Sequence, residues 1–466
     1  SNIVTENSNL APASDEARIS NKSGAHASAS AQRFSRSIAL TFAARLLMTA
    51  NSVVAGIIVA RWLGAEGLGQ LAVINVAVAT VVQLASLGLP SANTYFIAQD
   101  NRELRAVAIN SFVFALLGGS LLAVSLTLLA SARPDWFASI SPRLIGVAAV
   151  SIPFQLITLI GLNVFLAVGR IEKFNLLDLT AQAFVLVNAV VALIILNSGL
   201  STLVSLNTAT AVVIGLVIIG LVWSYGSKLN NGLPWRPDRR LFVRMMRYGI
   251  KFHISILAGA LIVRADLLVV NHYRGPSEAG VYSVASQVAL MLMLLPGVIG
   301  TLLFPRAAAE QDPRGATTCR VSRHAVFIMF FVCLAAIPPS LILPLLYGPA
   351  FSEVPAQLLI LLPGVFLIGL ESVLVQHANA MGLPRNIPLF WIATLLSNII
   401  LVFVLVPRYG AVGAAVASTI SYALIFLLVA AHFHSTTGRS FSEMFLLRNF
   451  ELKQLFTVSR SAGAVR

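Results

Sequence analysis

The chain contains few charged residues for its length. Asp, Glu, Lys and Arg together make up 11% of its 466 residues, whereas 57% are hydrophobic and the mean hydropathy is +0.85. A soluble globular protein carries about 25% charged residues, and a single soluble core of this size could not enclose so much apolar surface. The composition therefore predicts an integral membrane protein.

Cysteines and catalytic motifs are also scarce. Cys319 and Cys333 lie too far apart along a helix to pair, so we expect buried filler side chains and neither a disulfide nor a metal site. The sequence contains no Gly-Lys-Ser/Thr phosphate loop and no His-Glu-x-x-His motif. We therefore expect no cofactor, no direct use of ATP and no enzymatic activity. A membrane enzyme would need a catalytic pair on one face, and the sequence offers none.

Long apolar runs make up most of the chain. A helix needs about 20 residues to cross a bilayer, and about twelve runs meet that length. The fold class that they predict is all-α, a polytopic membrane protein. The runs lie at 38–60, 71–98, 104–130, 144–168, 175–196, 202–224, 249–271, 281–303, 324–346, 356–378, 388–406 and 411–433.

The basic residues between these runs predict the orientation. The formal net charge is +14, and nearly all of the Lys and Arg residues fall on the side that holds the N-terminus. Cytosolic loops carry such an excess, so both termini are predicted to be cytosolic, in a bacterial inner membrane. Anionic lipid headgroups explain this charge better than nucleic acid does, and no nucleic acid partner is expected.

A basic linker divides the chain into two halves. Residues 226–248 contain Arg239, Arg240, Arg244 and Arg247 in an amphipathic pattern, which predicts a helix lying on the inner leaflet. We therefore predict a disordered cytosolic tail, an N-terminal six-helix bundle, this linker, a C-terminal six-helix bundle and an interfacial cytosolic tail. Their bounds are 1–35, 36–225, 226–248, 249–435 and 436–466.

The two halves contain similar phrases. Gly64-Ala-Glu-Gly-Leu-Gly69 follows the first run, and Gly275-Pro-Ser-Glu-Ala-Gly280 follows the seventh. Each phrase predicts a tight outer turn that leads into the next helix. Because each half begins on the same side, the repeats are parallel, and such repeats imply a pseudo-two-fold axis along the membrane normal with the substrate path between the halves.

These phrases resemble the polysaccharide flippase family, whose superfamily also contains multidrug-and-toxin extruders and lipid II flippases. The likeness covers roughly residues 34–433. It includes Val59-Ala-Arg-Trp-Leu-Gly64, Arg264-Ala-Asp266-Leu-Leu-Val-Val, Pro344-Leu-Leu-Tyr-Gly348 and Val406-Pro407-Arg-Tyr409-Gly410. The order and spacing of the phrases carry the resemblance, since each phrase alone is loose.

The resemblance implies a flippase that works by alternating access between two bundles arranged as a V. Its substrate would be an undecaprenyl-pyrophosphate-linked oligosaccharide repeat unit, moved from the inner to the outer leaflet for exopolysaccharide, capsule or O-antigen synthesis. Candidate partners are then H⁺ or Na⁺, membrane lipids and a polysaccharide polymerase complex.

Charged residues inside the predicted spans are candidates for function, because a charge near the bilayer centre is costly. We expect Arg45 and Arg264 to face a central cavity and bind the pyrophosphate or acidic sugars, since a planar guanidinium pairs well with phosphate oxygens. Arg45 could instead extend only to the lipid headgroups. Asp266 and Glu371 are candidates for ion coupling, with structural pairing to a neighbouring helix as the alternative.

Amide side chains inside the spans are candidates for lining a sugar path. Those selected are Asn51, Gln83, Asn163 and Gln287. Such amides more often form hydrogen bonds between helices, so that reading stays open for each of them.

Transport of small cationic drugs by ion antiport is the alternative function. The two functions differ in the cavity that they need. A glycolipid path should be cationic and open to lipid between the halves, whereas a path for cationic drugs should be acidic and aromatic.

Overall fold

The computed structural model describes residues 13–137, 140–229, 234–297, 314–381, 384 and 386–446, with side chains described from residue 40 onward apart from positions 252 and 380. Across these residues the backbone is helix or turn and contains no β-strand. The predicted all-α membrane fold is confirmed.

Sixteen α-helices have both ends within the described residues, which also contain three short 3₁₀ helices and a helical segment at 294–297. They are α1 (Ala13–Ser86), α2 (Leu89–Gln99), α3 (Leu104–Ala132), α4 (Pro142–Ala149), α5 (Ser151–Ala167), α6 (Ile171–Ala189), α7 (Leu200–Ser227), α8 (Arg239–Arg264), α9 (Asp266–Arg274), α10 (Pro276–Leu292), α11 (Ala316–Ala335), α12 (Ile337–Ser340), α13 (Leu343–Tyr347), α14 (Val354–Ala380), α15 (Asn386–Thr437) and α16 (Phe441–Phe445). A π-helical turn, Val190–Ile195, extends α6.

Ten helical stretches in the described part are long and apolar enough to cross a membrane. Two of them are much longer than one crossing requires: Leu40–Ser86 has 47 residues and Asn386–Thr437 has 52. Each contains one glycine with non-helical backbone angles, Gly64 (φ 71°, ψ −173°) and Gly410 (φ 58°, ψ −137°). Both divide their stretch into two pieces of membrane-spanning length. The full arrangement of twelve helices in two bundles stays a prediction.

Several boundaries differ from the predicted ones. α1 begins at Ala13, inside the segment predicted to be disordered, while residues 1–12 lie outside the described residues. The linker does not hold a separate interfacial helix, because α8 continues from Arg239 to Arg264 without a break. Part of the predicted run 281–303 and most of the tail 436–466 also lie outside the described residues.

The start of α8 is fixed by a helix cap that is attached to the first half. The Asp238 carboxylate accepts hydrogen bonds from the backbone N–H groups of Arg240 (2.8 Å) and Leu241 (3.1 Å), which satisfies two donors at the helix N-terminus. The Asn110 side chain exchanges two 2.9 Å hydrogen bonds with the backbone of Asp238. The N-terminus of α8, the first helix of the second half, is therefore attached to the N-terminal part of α3.

The two halves approach each other most closely at the repeated glycines. A Cβ atom on Gly69 would overlap the carbonyl oxygen of Pro276, and a Cβ atom on Gly280 would overlap the carbonyl oxygen of Ala65. When the two repeats are superposed in sequence so that Gly69 matches Gly280, Ala65 matches Pro276. Each glycine therefore packs against the repeat equivalent of the other's partner, and the contact is reciprocal. This reciprocity supports the predicted pseudo-two-fold relation between the halves.

A second reciprocal contact lies at the same end of the molecule, the predicted outer end. The Arg61 guanidinium donates to the backbone carbonyls of Leu345 and Leu346, the latter at 2.7 Å. The His272 ring Nδ1 lies 3.1 Å from the backbone carbonyl of Asp135. In the same alignment of the two repeats, Arg61 is equivalent to His272, and Asp135 is equivalent to Leu346. Each half therefore places a side chain against the backbone of the other.

Replacing Gly280 by Ala should weaken the packing of the two halves. The added methyl group has no space beside the Ala65 carbonyl, and overpacking of this kind typically costs about 1–3 kcal/mol. We expect thermal unfolding of the purified protein in detergent to occur at a lower temperature than for the unchanged protein.

The matched control is Gly220→Ala in α7, where an added Cβ would meet nothing within 4 Å. That substitution should be neutral or stabilising by about 0.5–1 kcal/mol, because Ala is favoured over Gly within a helix. If Gly280→Ala unfolds at the same temperature as Gly220→Ala, the close approach at Gly280 is wrong.

Candidate functional site

Two adjoining cavities lie beneath the glycine contact. The N-half cavity has a volume of about 570 Å³ and is lined by the helices of the first half together with Arg264. The inter-half cavity has a volume of about 440 Å³ and is lined by both halves, from Ser52 and Asn75 on one side to Ser286 and Gln287 on the other. Asn75, Arg264 and other residues line both spaces, so the two cavities are neighbours with a common wall.

Amide and hydroxyl groups dominate the polar lining of the N-half cavity. The amides are Asn75, Gln83, Gln155, Gln182, Asn188 and Asn207. The hydroxyls belong to Ser151, Thr158, Thr208 and Thr210. Each amide offers both a donor and an acceptor, so this surface can replace water around a polar solute.

Helical spacing explains how the chain collects these groups. On α6, Asp178, Gln182 and Val185 follow one another at intervals of three or four residues, which places them on one face of the helix. On α1, Leu71, Asn75 and Val78 follow the same spacing. Each of these apolar runs therefore places a few polar side chains on the face toward the cavity, Asn75 on α1 and Asp178 and Gln182 on α6.

Arg264 lies where the two cavities meet. It is the last residue of α8 and is solvent-accessible, although it sits within a predicted span. Among the described residues it forms no ion pair with an acid, and Asp266 two positions later is directed elsewhere. The guanidinium therefore has free donors that face the cavity space.

Arg45 does not line either cavity and instead forms an ion pair with Asp178. The Arg45 guanidinium lies 3.7 Å from the Asp178 carboxylate, and 50% of the Arg45 side chain is exposed against 19% of Asp178. Asp178 does line the N-half cavity. Arg45 therefore reaches the wall of the N-half cavity only through its partner, and its role in binding substrate stays a prediction.

Asp266 is buried in a hydrogen-bonding cluster. Its carboxylate accepts hydrogen bonds from the Tyr282 hydroxyl, from the Ser418 hydroxyl (2.8 Å) and from the backbone N–H of Leu267 (2.8 Å). Tyr282 and Ser418 lie on α10 and α15, so the cluster joins three helices. This geometry matches the structural alternative stated for Asp266.

Glu371 is buried without comparable support. Only 2% of the residue is exposed, and its Oε1 atom has no hydrogen-bond partner in the part of the chain that the structure describes. It lies in the middle of α14 and outside the lining of both cavities. A buried carboxyl oxygen without a partner is costly, so this group needs a proton, a cation or a change of conformation to be satisfied.

The four selected amides have different surroundings. Gln83 lines the N-half cavity and Gln287 lines the inter-half cavity. Asn51 donates to the backbone carbonyl of Gln182 at 2.6 Å and thus connects α1 to α6. Asn163 donates to the carbonyl of Leu159 on its own helix at 2.8 Å. Neither Asn51 nor Asn163 lines these two cavities, and their contact with a sugar stays a prediction.

Sequence reasoning did not select Asp178 or most of the cavity amides. Asp178 lies inside the predicted run 175–196 and is an intramembrane charge by the same criterion that selected Arg264. That signal could have found it. No such signal separates Gln155 and Gln182 from amides that bond only within the helix bundle.

Solved structures of membrane transporters share this fold. The lipid II flippase MurJ in an inward closed conformation aligns with a TM-score of 0.68 at 15% identity, covering 91% of this chain and 92% of its own. An inward-facing multidrug resistance transporter of the MATE family, in the MOP superfamily, aligns with a TM-score of 0.67 at 16% identity, covering 86% of this chain and 99% of its own. At these identities the likeness concerns the fold alone.

Curated relatives match shorter stretches of sequence. The probable flippase AglR of Haloferax volcanii is 25% identical over 216 residues, which are 45% of this chain and 45% of AglR. The amylovoran biosynthesis protein AmsL of Erwinia amylovora is 28% identical over 272 residues, which are 54% of this chain and 67% of AmsL. The chain spans about half the length of several curated relatives that it matches.

A family model covers more of the chain than these single relatives do. It extends over the whole lining of the N-half cavity, over most of the lining of the inter-half cavity and over the glycine contact between the halves. The model described as "Polysaccharide biosynthesis protein" matches residues 58–354, and the chain, a multi-pass membrane protein, belongs to this family.

Proposed function

We propose that this protein is a flippase that moves undecaprenyl-pyrophosphate-linked oligosaccharide repeat units across the cytoplasmic membrane by alternating access. The observation that carries the proposal is the amide-lined N-half cavity, which meets the inter-half cavity at Arg264. The family membership and the relatives named as a flippase and a polysaccharide biosynthesis protein support the same function.

Moving a glycan across about 30 Å of hydrocarbon is a problem of solvation. The protein must replace water around sugar hydroxyls and around a doubly charged pyrophosphate, while the prenyl chain stays in lipid. Amides of the N-half cavity supply donors and acceptors to the sugar. Arg264 supplies a planar guanidinium to the pyrophosphate, a pairing that is charge-assisted and often bidentate.

The cavity chemistry disfavours the alternative of cationic drug transport. A site for apolar cations would be expected to be acidic and aromatic. The N-half cavity is lined by one carboxylate, Asp178, and one aromatic ring, Phe184. The inter-half cavity is lined by neither kind of group.

If transport is coupled to an ion, Glu371 is the stronger candidate for the coupling site. Its Oε1 atom is buried without a partner among the described side chains, whereas Asp266 already accepts three hydrogen bonds. H⁺ and Na⁺ both fit a single carboxylate. We further propose that the protein lies in the bacterial inner membrane with both termini in the cytosol. A polysaccharide polymerase complex would consume the translocated product.

Alternating access requires the predicted outer end to open, and the reciprocal contacts hold it closed. Arg61 and His272 each bridge from one half to a backbone carbonyl of the other. The Arg133 side chain donates to the Asp135 carboxylate and lowers its pKa below the usual value, so this acid stays charged beside the carbonyl that His272 contacts. These contacts must break before substrate can leave on that side.

Replacing Arg264 by Ala should abolish translocation while the protein remains folded in the membrane. Loss of a charge-assisted contact to pyrophosphate should lower the transport rate at least tenfold, since hydrogen bonds to charged groups contribute about 1.5–3 kcal/mol. The measurement is the rate at which proteoliposomes move a polyprenyl-diphosphate-linked sugar with a fluorescent label between leaflets.

Arg143→Ala, a change at an exposed arginine outside both cavities, is the control and should transport normally. Arg264→Lys should retain part of the activity because it keeps the positive charge. Normal transport by Arg264→Ala would remove Arg264 from the substrate path.

Replacing Arg61 by Ala should favour opening at the predicted outer end. A reporter cysteine at Ala65, which is buried at the contact between the halves, would react with maleimide only after the halves separate. In every variant tested, the two natural cysteines, Cys319 and Cys333, which are buried, would be replaced by Ala so that only the reporter reacts. We expect labelling in nanodiscs to become about tenfold faster, because loss of about 1.4 kcal/mol shifts a two-state population tenfold.

His272→Ala should have the same effect, since it makes the reciprocal contact. Arg408→Ala is the control, because this exposed arginine lies at the same end without a described side-chain contact to the first half. Equal labelling rates in all three variants would contradict the role of the reciprocal contacts.

A further inference from the structure

The charge of the N-half cavity limits the kind of sugar that it can hold. Its polar lining contains one negative side chain, Asp178, and one positive side chain, Arg264. Arg264 lies on the wall shared with the inter-half cavity, where the proposed function assigns it to the pyrophosphate. The part of the cavity that remains for the glycan is therefore neutral except for Asp178.

The free amides in this cavity suit sugar hydroxyl and acetamido groups. Asn75, Gln83 and Gln182 have no side-chain hydrogen-bond partner among the described residues, although all three line the cavity. Each can donate and accept at once, which is what a hydroxyl group requires. Asn188 is already held by Asn207 (2.9 Å) and Thr210 (3.0 Å), so it forms a fixed part of the wall.

Asp178 makes this cavity unfavourable for acidic sugars. Its ion-pair partner Arg45 lies 3.7 Å away, is half exposed and does not line the cavity. A uronic acid in the cavity would bring a second carboxylate close to Asp178 with no further cation on the described wall. Like charges in a site of low dielectric repel strongly, whereas a neutral sugar hydroxyl can donate to the Asp178 oxygens.

The cavities described within the second half are smaller than the N-half cavity, at about 170–250 Å³. A cavity of about 170 Å³ there is lined mostly by apolar side chains, including Val263, Leu361 and Ile368. Its Tyr282 hydroxyl is already engaged with Asp266. The two halves are therefore similar in fold and different in the chemistry of their interiors.

We infer that the N-half cavity is a binding site for neutral, hydroxyl-rich sugar residues of the lipid-linked glycan, and that Asp178 determines specificity by excluding sugars that carry a carboxylate. This inference rests on the proposed function. The volume of about 570 Å³ falls within the range of about 300–1,000 Å³ that is usual for ligand sites, so the site fits a short repeat unit rather than a polymer.

The test compares three probes that share one polyprenyl diphosphate. The first is the bare diphosphate, the second carries a neutral disaccharide, and the third carries the same disaccharide with a uronic acid as its outer sugar. Dissociation constants are measured for the full chain in nanodiscs. We expect the neutral probe to bind about tenfold more tightly than either of the others, since selectivity of this kind rests on favourable contacts and built-in repulsion together.

Two variants separate the contribution of charge from that of the amides. Asp178→Asn keeps the shape and removes the charge, so the uronic acid probe should then bind as tightly as the neutral one. Gln83→Ala should weaken binding of the neutral probe until its affinity approaches that of the bare diphosphate. This substitution removes no described side-chain hydrogen bond. Thr180→Ala is the matched control on α6, because Thr180 bonds the carbonyl of Leu176 on its own helix and does not line the cavity.

The possible results separate a failure of this inference from a failure of the proposed flippase function. If the bare diphosphate binds and the uronic acid probe binds as tightly as the neutral probe or more tightly, the inference is wrong and the flippase function stands. Discrimination that survives in Asp178→Asn also contradicts the role of Asp178. If none of the probes binds or is translocated, the proposed function fails and the inference fails with it.

Discussion

Two backbone segments meet at Gly69 and Gly280 with no space for a side chain between them. Because this contact brings α1 and α10 together, the two helices that precede α10 in the chain, α8 and α9, can reach the first half. Arg264 at the end of α8 therefore lines a cavity that is otherwise built by the first half. A larger residue at either glycine would separate the surfaces whose meeting creates the site.

Several charged side chains lie inside the membrane-spanning helices and must be stabilised there. A charge inside the membrane is tolerated where it faces a water-accessible cavity or is paired, and both solutions occur here. Arg264 faces the cavities, Asp266 accepts three hydrogen bonds, and Asp178 is paired at one edge. Glu371 follows neither pattern among the described residues, and this is the reason for proposing it as the site of ion coupling.

Sequence patterns predicted the parts of the structure that depend on local composition. Apolar runs gave the spans, and the glycine phrases identified residues that meet across the halves. The direction in which a side chain points was harder to predict, because it depends on the rotation of each helix in the bundle. Asn163 and Gln83 have similar sequence surroundings, yet Asn163 bonds its own helix while Gln83 faces the cavity. The uninterrupted α8 was missed because the amphipathic pattern does not show where a helix ends.

The most direct test of the central claim is the lipid content of a strain that lacks this protein. Undecaprenyl-linked sugars would be extracted and identified by mass spectrometry, and surface polysaccharide would be measured in the same cells. The account predicts that a complete repeat unit accumulates on its lipid carrier while the surface polymer disappears. Normal polymer with no accumulated lipid-linked sugar would contradict it.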